Sequence, residues 1–208
     1  MGESGMKKID YKKELKYLYA PSAEEISVVD IPAMNYLMID GKGDPNKVKE
    51  FGEAIEALYA VSYTVKFMFK KGKQQIDYTV MPLEGVWWMH DMNKFSEERK
   101  DDWFWTMMIL QPEIVTKAII NEAIEMVRKK KNPAALSKLR FESIKEGKSA
   151  QILYFGPYKD EGPTIVKLHQ FIAEKGFKKR GKHHEIYLND PRKTAPERLK
   201  TIIRQPMQ

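Results

Sequence analysis

The feature that most restricts what this chain can become is a strand, glycine and helix signature that it carries twice. Tyr36-Leu37-Met38-Ile39-Asp40-Gly41 leads into one amphipathic stretch, and Gln151-Ile152-Leu153-Tyr154-Phe155-Gly156 leads into another. Each is an apolar run of strand length closed by a strand-breaking residue, after which the hydrophobic period changes from two to three or four. Such a repeated order points to one unit used twice. A cleft then falls at the seam between the copies, where small-molecule sites tend to form.

The segments around the signature fill in the two halves. In the first, Ser27 to Ile31 and Met34 to Asp40 read as β segments parted by Pro32. Asp44-Pro45 supplies a cap and a first-turn proline for a helix whose stripe is Val48, Phe51, Ile55 and Leu58. Tyr63 to Phe69 and Gln75 to Leu83, rich in β-branched and aromatic residues, read as a hairpin turned at Lys71-Gly72-Lys73. Trp103 to Leu110 reads as a strand, and Gln111-Pro112-Glu113 starts a helix to about Lys131, stopped by Pro133. In the second half, Leu139 to Ile144 and Ser149 to Phe155 read as a hairpin across Glu146-Gly147. A helix with Ile165, Leu168 and Ile172 on one stripe follows, ended by Gly176. A strand from about Lys182 to Leu188 and an apolar stretch from Leu199 to Ile203 complete the order. Gly2-Glu3-Ser4-Gly5, ahead of Met6, reads as an added extension outside the fold.

Composition removes several classes of function. With 208 residues and no Cys, the chain is long enough to bury its own core, and disulfide frameworks, thiolate metal sites and cysteine nucleophiles are excluded. No apolar run is long enough to span a bilayer and the N-terminus lacks a signal-peptide core, so a cytoplasmic protein without a membrane partner is expected. The net charge of +7 raises the question of nucleic acid. Its excess, however, sits in runs such as Lys70-Lys71, Arg128 to Lys131 and Lys178-Lys179-Arg180, at helix ends and turns where lysines complement the helix dipole. No helix-turn-helix, RNP or zinc-knuckle pattern accompanies them, so no nucleic-acid partner is expected.

Two stretches carry the residue types of a site. In His183-His184-Glu185-Ile186-Tyr187-Leu188, strand alternation puts His184, Ile186 and Leu188 on one face and His183, Glu185 and Tyr187 on the other. Ile186 and Leu188 are expected against the helices, which leaves Glu185 and Tyr187 facing solvent or the cleft. Adjacent histidines on a strand point apart, and the four His are scattered, so no metal is expected. In Leu83-Glu84-Gly85-Val86-Trp87-Trp88, consecutive tryptophans cannot both enter one core, and at least one should line a surface or pocket. Trp103, Phe104 and Trp105, with tyrosines including Tyr78, Tyr154, Tyr158 and Tyr187, give the composition of an aromatic enclosure for a flat ligand. No phosphate-cradling glycine loop, G-x-S-x-G elbow or H-E-x-x-H is present.

These residues resemble the GyrI-like small-molecule-binding family, whose domain also occurs in bacterial multidrug-sensing and AraC-type regulators. The likeness is carried by Leu83-Glu84-Gly85-Val86-Trp87-Trp88, Trp103-Phe104-Trp105-Thr106 with Gln111-Pro112, and Tyr154-Phe155-Gly156-Pro157-Tyr158. It continues in His184-Glu185-Ile186-Tyr187-Leu188-Asn189-Asp190-Pro191 and Lys200-Thr201-Ile202-Ile203-Arg204-Gln205-Pro206, and spans about Glu14 to Met207. The resemblance implies an α+β fold of two tandem β-strand/helix modules, an SHS2-like duplication over about 24–131 and 134–207, with pseudo-twofold symmetry around a central ligand cleft. It also implies a buried acidic residue at the cleft floor, which by position is Glu185.

The stand-alone members that the tryptophan motifs resemble include hydrolases that open the cyclopropane of DNA-alkylating natural products such as yatakemycin. On that likeness, Glu185 would orient or deprotonate water and Tyr154, with Tyr187 in reserve, would donate to the carbonyl oxygen. Trp87, Trp88, Trp103, Trp105, Tyr78 and Phe155 would hold a planar aromatic ligand, with no cofactor. Absence of a DNA-binding helix-turn-helix argues against a transcription factor. The alternatives are a protein that binds drugs without turning them over and a topoisomerase-modulating interaction protein. The sequence carries no sign of oligomeric state.

Overall fold

Each half of the chain supplies one long strand, then a helix, then two shorter strands, and together the six strands close on themselves. The computed structural model describes residues 6–92 and 95–208. The Gly2–Gly5 extension lies outside them. Strand β1 (Lys7–Ile9) is followed by two short helical turns, α1 (Tyr11–Glu14) and α2 (Lys16–Tyr19). Then come β2 (Ser27–Lys42), helix α3 (Lys49–Lys71), β3 (Ile76–Tyr78), β4 (Leu83–Trp88), β5 (Phe104–Leu110) and helix α4 (Lys117–Lys130). The second half has β6 (Arg140–Phe155), helix α5 (Gly162–Glu174), β7 (His183–Tyr187) and β8 (Lys200–Pro206). The closed order is β2-β5-β4-β7-β8-β6, all antiparallel, while β1 and β3 form a separate parallel pair.

Several local expectations change. Gln75 to Leu83 is not a hairpin strand: it holds only the short β3, paired in parallel with β1, and the first residue of β4. Tyr63 to Phe69 is not a strand but the last turns of α3, whose buried positions Ala54, Ala57, Leu58, Val61, Ser62, Val65 and Phe69 recur at three and four. The β-branched residues favoured a strand locally, but the burial of one continuous stripe outweighs so weak a preference. The stripe is therefore rotated from the expected one, and Ile55 is only half-buried. Pro32 does not divide β2, because it falls where β2 has no hydrogen-bonded neighbour on its second side, so the missing N–H leaves no ladder bond unmade. Glu146-Gly147 is likewise not a turn. The ladder runs through it without a change of register, and Gly147 absorbs a local kink with φ of 73°.

Gly176 closes the second-half helix as expected, with φ of 79°, whereas α4 starts at Lys117 and not at Gln111-Pro112-Glu113, because Thr116 caps it there by accepting from the Ile119 N–H. Asp44 accepts from Asn46 N–H at 2.9 Å and shapes the turn ahead of α3, which starts at Lys49 rather than beside Pro45.

Closure gives the sheet two distinct faces. Helix α3 packs on β2 and β5 and against α4, and α5 packs on β6 and β8, so the helices sit on the outer face. Leu168 and Ile172 of α5 meet Ala150, Ile152, Ile203 and Met207 there. The inner face lines a lumen, and the turn Lys16–Tyr19 closes it on the side of Glu84, where Tyr19 donates to Glu84 Oε1 at 2.6 Å. Among the described residues no helix is long and apolar enough to cross a membrane.

Candidate functional site

β7 lies between β4 and β8, and its alternation sends two different sets of residues to the two faces. Gly85 pairs with Glu185, Trp87 with His183, Leu83 with Tyr187, and Ile203 of β8 with Glu185. Directly opposed residues share a face. Because Ile203 packs on α5 and Trp87 meets Phe51 of α3, the face bearing His183, Glu185 and Tyr187 is the helix-covered one. This reverses the expectation that Ile186 lies against the helices. Ile186 points into the lumen instead, because the closed sheet makes a second apolar interior that alternation alone cannot distinguish from the helix side.

Glu185 is held from both sides. His183 Nε2 lies 2.9 Å from Oε1, and the Tyr187 hydroxyl donates to Oε2 at 2.7 Å. The Trp87 indole N–H in turn donates to the Tyr187 oxygen at 3.0 Å. Burial would push the carboxyl up, but hydrogen bonds from His183 and Tyr187 and the nearby histidine charge hold it below its usual value. Burial and the Glu185 charge raise Tyr187 well above the ordinary phenol, so it stays a donor. Gly85 makes this approach possible. A Cβ there would stand 2.9 Å from Trp87 Nε1 and 3.1 Å from the Tyr187 hydroxyl.

Aromatic rings surround the carboxylate. Trp87 contacts Trp103 at 5.6 Å and Phe51 at 5.9 Å, Phe51 meets Trp105 edge-on at 5.2 Å, and Phe95 stacks on Trp103 at 4.7 Å. Tyr158 crosses Tyr187 at 5.5 Å, and burial followed by the charges of Glu161, Glu185 and Asp190 pushes its hydroxyl up to about 12. Rings in offset and edge-on contact of this kind form a preorganised apolar wall.

The structure thus gathers Glu185, Tyr187, Trp87, Trp103 and Trp105. Tyr154 belongs to the same outer row, two strands over through Thr201, and its hydroxyl donates to Pro157 O at 3.1 Å. Trp88 is on the opposite face, stacked on Phe104 at 5.8 Å. Tyr78 is buried on β3 against Phe69, apart from the cluster, and Phe155 is exposed beneath Lys200. Sequence reasoning counted Tyr158 among the aromatic company but did not single out Phe51, Phe95 or the buried Glu161 as site residues. His183 was legible through its parity with Glu185. Phe51 stood on the helix stripe, whereas nothing local marked Phe95. Among the described residues no group of three or more His, Asp or Glu is placed to hold a metal ion.

The family model for the GyrI-like small molecule binding domain matches residues 24–207. The chain belongs to the GyrI-like family. Among solved structures it is similar to an uncharacterized conserved protein from Listeria innocua, with 41% identity, a TM-score of 0.88, and coverage of 96% of this chain and 100% of that one. It is also similar to two Listeria innocua proteins described as hydrolases. One has 40% identity and a TM-score of 0.86 over 97% of this chain and 100% of that one. The other has 39% identity and a TM-score of 0.84 over 96% and 100%. No curated protein matches the sequence. As a GyrI-like domain, the fold is one that binds small molecules.

Proposed function

We propose that this GyrI-like protein is a hydrolase for flat, hydrophobic electrophiles, opening the strained cyclopropane of DNA-alkylating natural products of the yatakemycin type and so protecting the cell. The observation that carries the reading is an ionised carboxylate, Glu185, oriented by two donors inside an aromatic enclosure. The hydrolase description of two Listeria relatives at about 40% identity supports it. The recurring order of long strand, helix and strand pair supports reading residues 24–131 and 134–207 as two modules related by a pseudo-twofold. On that reading Glu185 sits at their seam, where β7 meets β4.

The chemistry asks little of the protein. In such an alkylator the cyclopropane is conjugated to a dienone. Water attacks the ring CH2 and its proton passes to Glu185. The breaking C–C bond delivers its electrons through the ring to the carbonyl oxygen, which becomes a phenoxide and takes a proton from a tyrosine; the proton gained by Glu185 then returns to that tyrosine through solvent, so the net change is the addition of one water. Strain release and aromatisation drive the step, so positioning and charge stabilisation suffice without a cofactor. Tyr154 is the assigned donor, because its bond to the neutral Pro157 O at 3.1 Å is longer and more readily exchanged than the 2.7 Å bond from Tyr187 to the Glu185 carboxylate. Trp87, Trp103 and Trp105 grip the planar body, and Tyr158, partly exposed at the edge, moves aside to admit it.

A second reading keeps the same residues but no turnover: an ionised carboxylate among rings also suits sequestration of a cationic drug. Planar aromatics should quench tryptophan emission with micromolar or tighter midpoints, about 8 kcal/mol of binding. Incubating the protein with excess alkylator and counting ring-opened product then separates the readings. More than one equivalent per protein supports the hydrolase, whereas a rate equal to that of buffer would reject it.

A further inference from the structure

A six-stranded barrel should have little room inside, since even eight strands leave an interior just wide enough for side chains or one small ligand. Here one end of the lumen is nevertheless hollow. A cavity of about 280 Å³ is lined from all six strands, including Tyr36, Met38, Val86, Met108, Glu146 and His184. It lies on the sheet face opposite Glu185 and shares none of the cluster described above.

We infer that this mouth is a second binding site, for a small organic anion whose carboxylate or phosphate head is held by Arg180 and Lys182. The charges on its wall are unequally matched. Arg140 is satisfied by Asp40 at 2.8 Å and Glu142 at 2.6 Å, and Glu146 by His184 at 2.9 Å and Arg204 at 3.4 Å. Arg180 and Lys182, both lining the cavity, have no carboxylate within ion-pair distance among the described residues. The Lys182 ammonium rests 3.2 Å above the Trp88 ring, and Arg180 donates one bond to the Glu146 carbonyl. Arg180 keeps further guanidinium donors for a planar oxygen pair.

The segment carrying these two cations is anchored rather than loose. Arg180 N–H donates to Pro206 O at 2.8 Å, Lys178 N–H donates to Gln208 O at 2.7 Å, and Gly181 makes the turn with φ of 66°. Both side chains are thereby aimed at the mouth in advance, which lowers the entropy lost on binding. Besides Thr106, Lys145 and the paired charges, the wall presents an apolar patch of Val86, Met38, Met108 and Ile144. A molecule with a charged head and a short apolar body matches that division, and the volume limits it to metabolite size.

The test uses benzoate and phenyl phosphate as probes, titrated calorimetrically and by tryptophan emission, since drawing Lys182 off Trp88 changes that ring's surroundings. Binding in the micromolar to low millimolar range is expected, weakened at least about tenfold in Arg180→Ala/Lys182→Ala, with chloride at equal ionic strength unable to substitute. Both residues are exposed, so the double variant should melt with the wild type and any loss is a loss of binding. Tighter phenyl phosphate would identify the head as phosphate, and tighter benzoate as carboxylate. No binding of either probe up to about 10 mM, or equal affinity in the double variant, would overturn the site.

Discussion

Replacing Glu185 by glutamine should slow alkylator hydrolysis by about 10²–10⁴-fold, the range usual for a lost general base, while leaving the fold and most aromatic affinity in place. The amide is nearly isosteric. It can still accept from Tyr187 and place its NH2 where Oε1 faces His183, so the enclosure has little reason to rearrange. The pH profile supplies an independent check. Because the Glu185 carboxyl is held below its usual value, the basic form is present above that lowered point and is lost only as pH falls through it. The wild-type rate should therefore stay level from neutrality down to about pH 5. Tyr187→Phe removes one of the bonds that hold the carboxylate ionised, so its acid limb should move to higher pH with a smaller loss of rate. An unchanged rate in Glu185→Gln would keep the enzyme and transfer the role to the tyrosines and an enclosure that works by orientation alone.

What the sequence disclosed of this arrangement follows the physics of alternation. Glu185, Tyr187 and His183 were recognisable as one face of one strand, because period two is local and β7 is regular. Which side of the sheet that face served was not recognisable, since the decision belongs to barrel closure and to pairings such as Gly85 with Glu185 across 100 residues of chain. The helix at 162–174 was read from its apolar stripe and closing glycine, and the end of the one at 117–130 from the proline beyond it, but the latter was begun too early and the long α3 was cut short. Its second half is β-prone in isolation and helical only because Val61, Val65 and Phe69 continue a buried stripe. Trp87 and Trp88 were correctly separated in kind, as both could not enter one core, yet which of them meets Glu185 depended on register. Glu84, His184, Glu146 and Arg204 could not be assembled from spacing at all. They come from four strands and meet only inside the closed lumen.

That lumen cluster yields the largest expected effect on stability, in Arg204→Leu. Arg204 is fully buried, donates from Nε and an η nitrogen to Gln151 Oε1 at 3.0 and 2.9 Å, and reaches Leu18 O at 2.9 Å and Glu146 at 3.4 Å. Leucine leaves the carbonyls and one carboxylate without this donor, and breaking a buried ion pair from one side costs about 3–5 kcal/mol. Against a total stability of about 5–15 kcal/mol, that is a large fraction. The acid and alkaline limits of stability follow from the same groups. Burial would raise Glu146, but His184 and Arg204 outweigh it and hold it at about 2, so its contribution is present above the ordinary 4.5 and fades as pH falls toward 2. Burial would lower His184, but Glu146 and Glu84 outweigh it and raise it to about 9. Its contribution is therefore complete below 6.5 and lost as pH rises from there through 9. Urea unfolding should thus give a stability plateau between pH 4.5 and 6.5, with a decline of at most about 1.4 kcal/mol per pH unit above it, absent in His184→Gln. A cost below about 1 kcal/mol for Arg204→Leu would mean that water reaches the cluster through the open mouth and that the lumen is solvated rather than sealed.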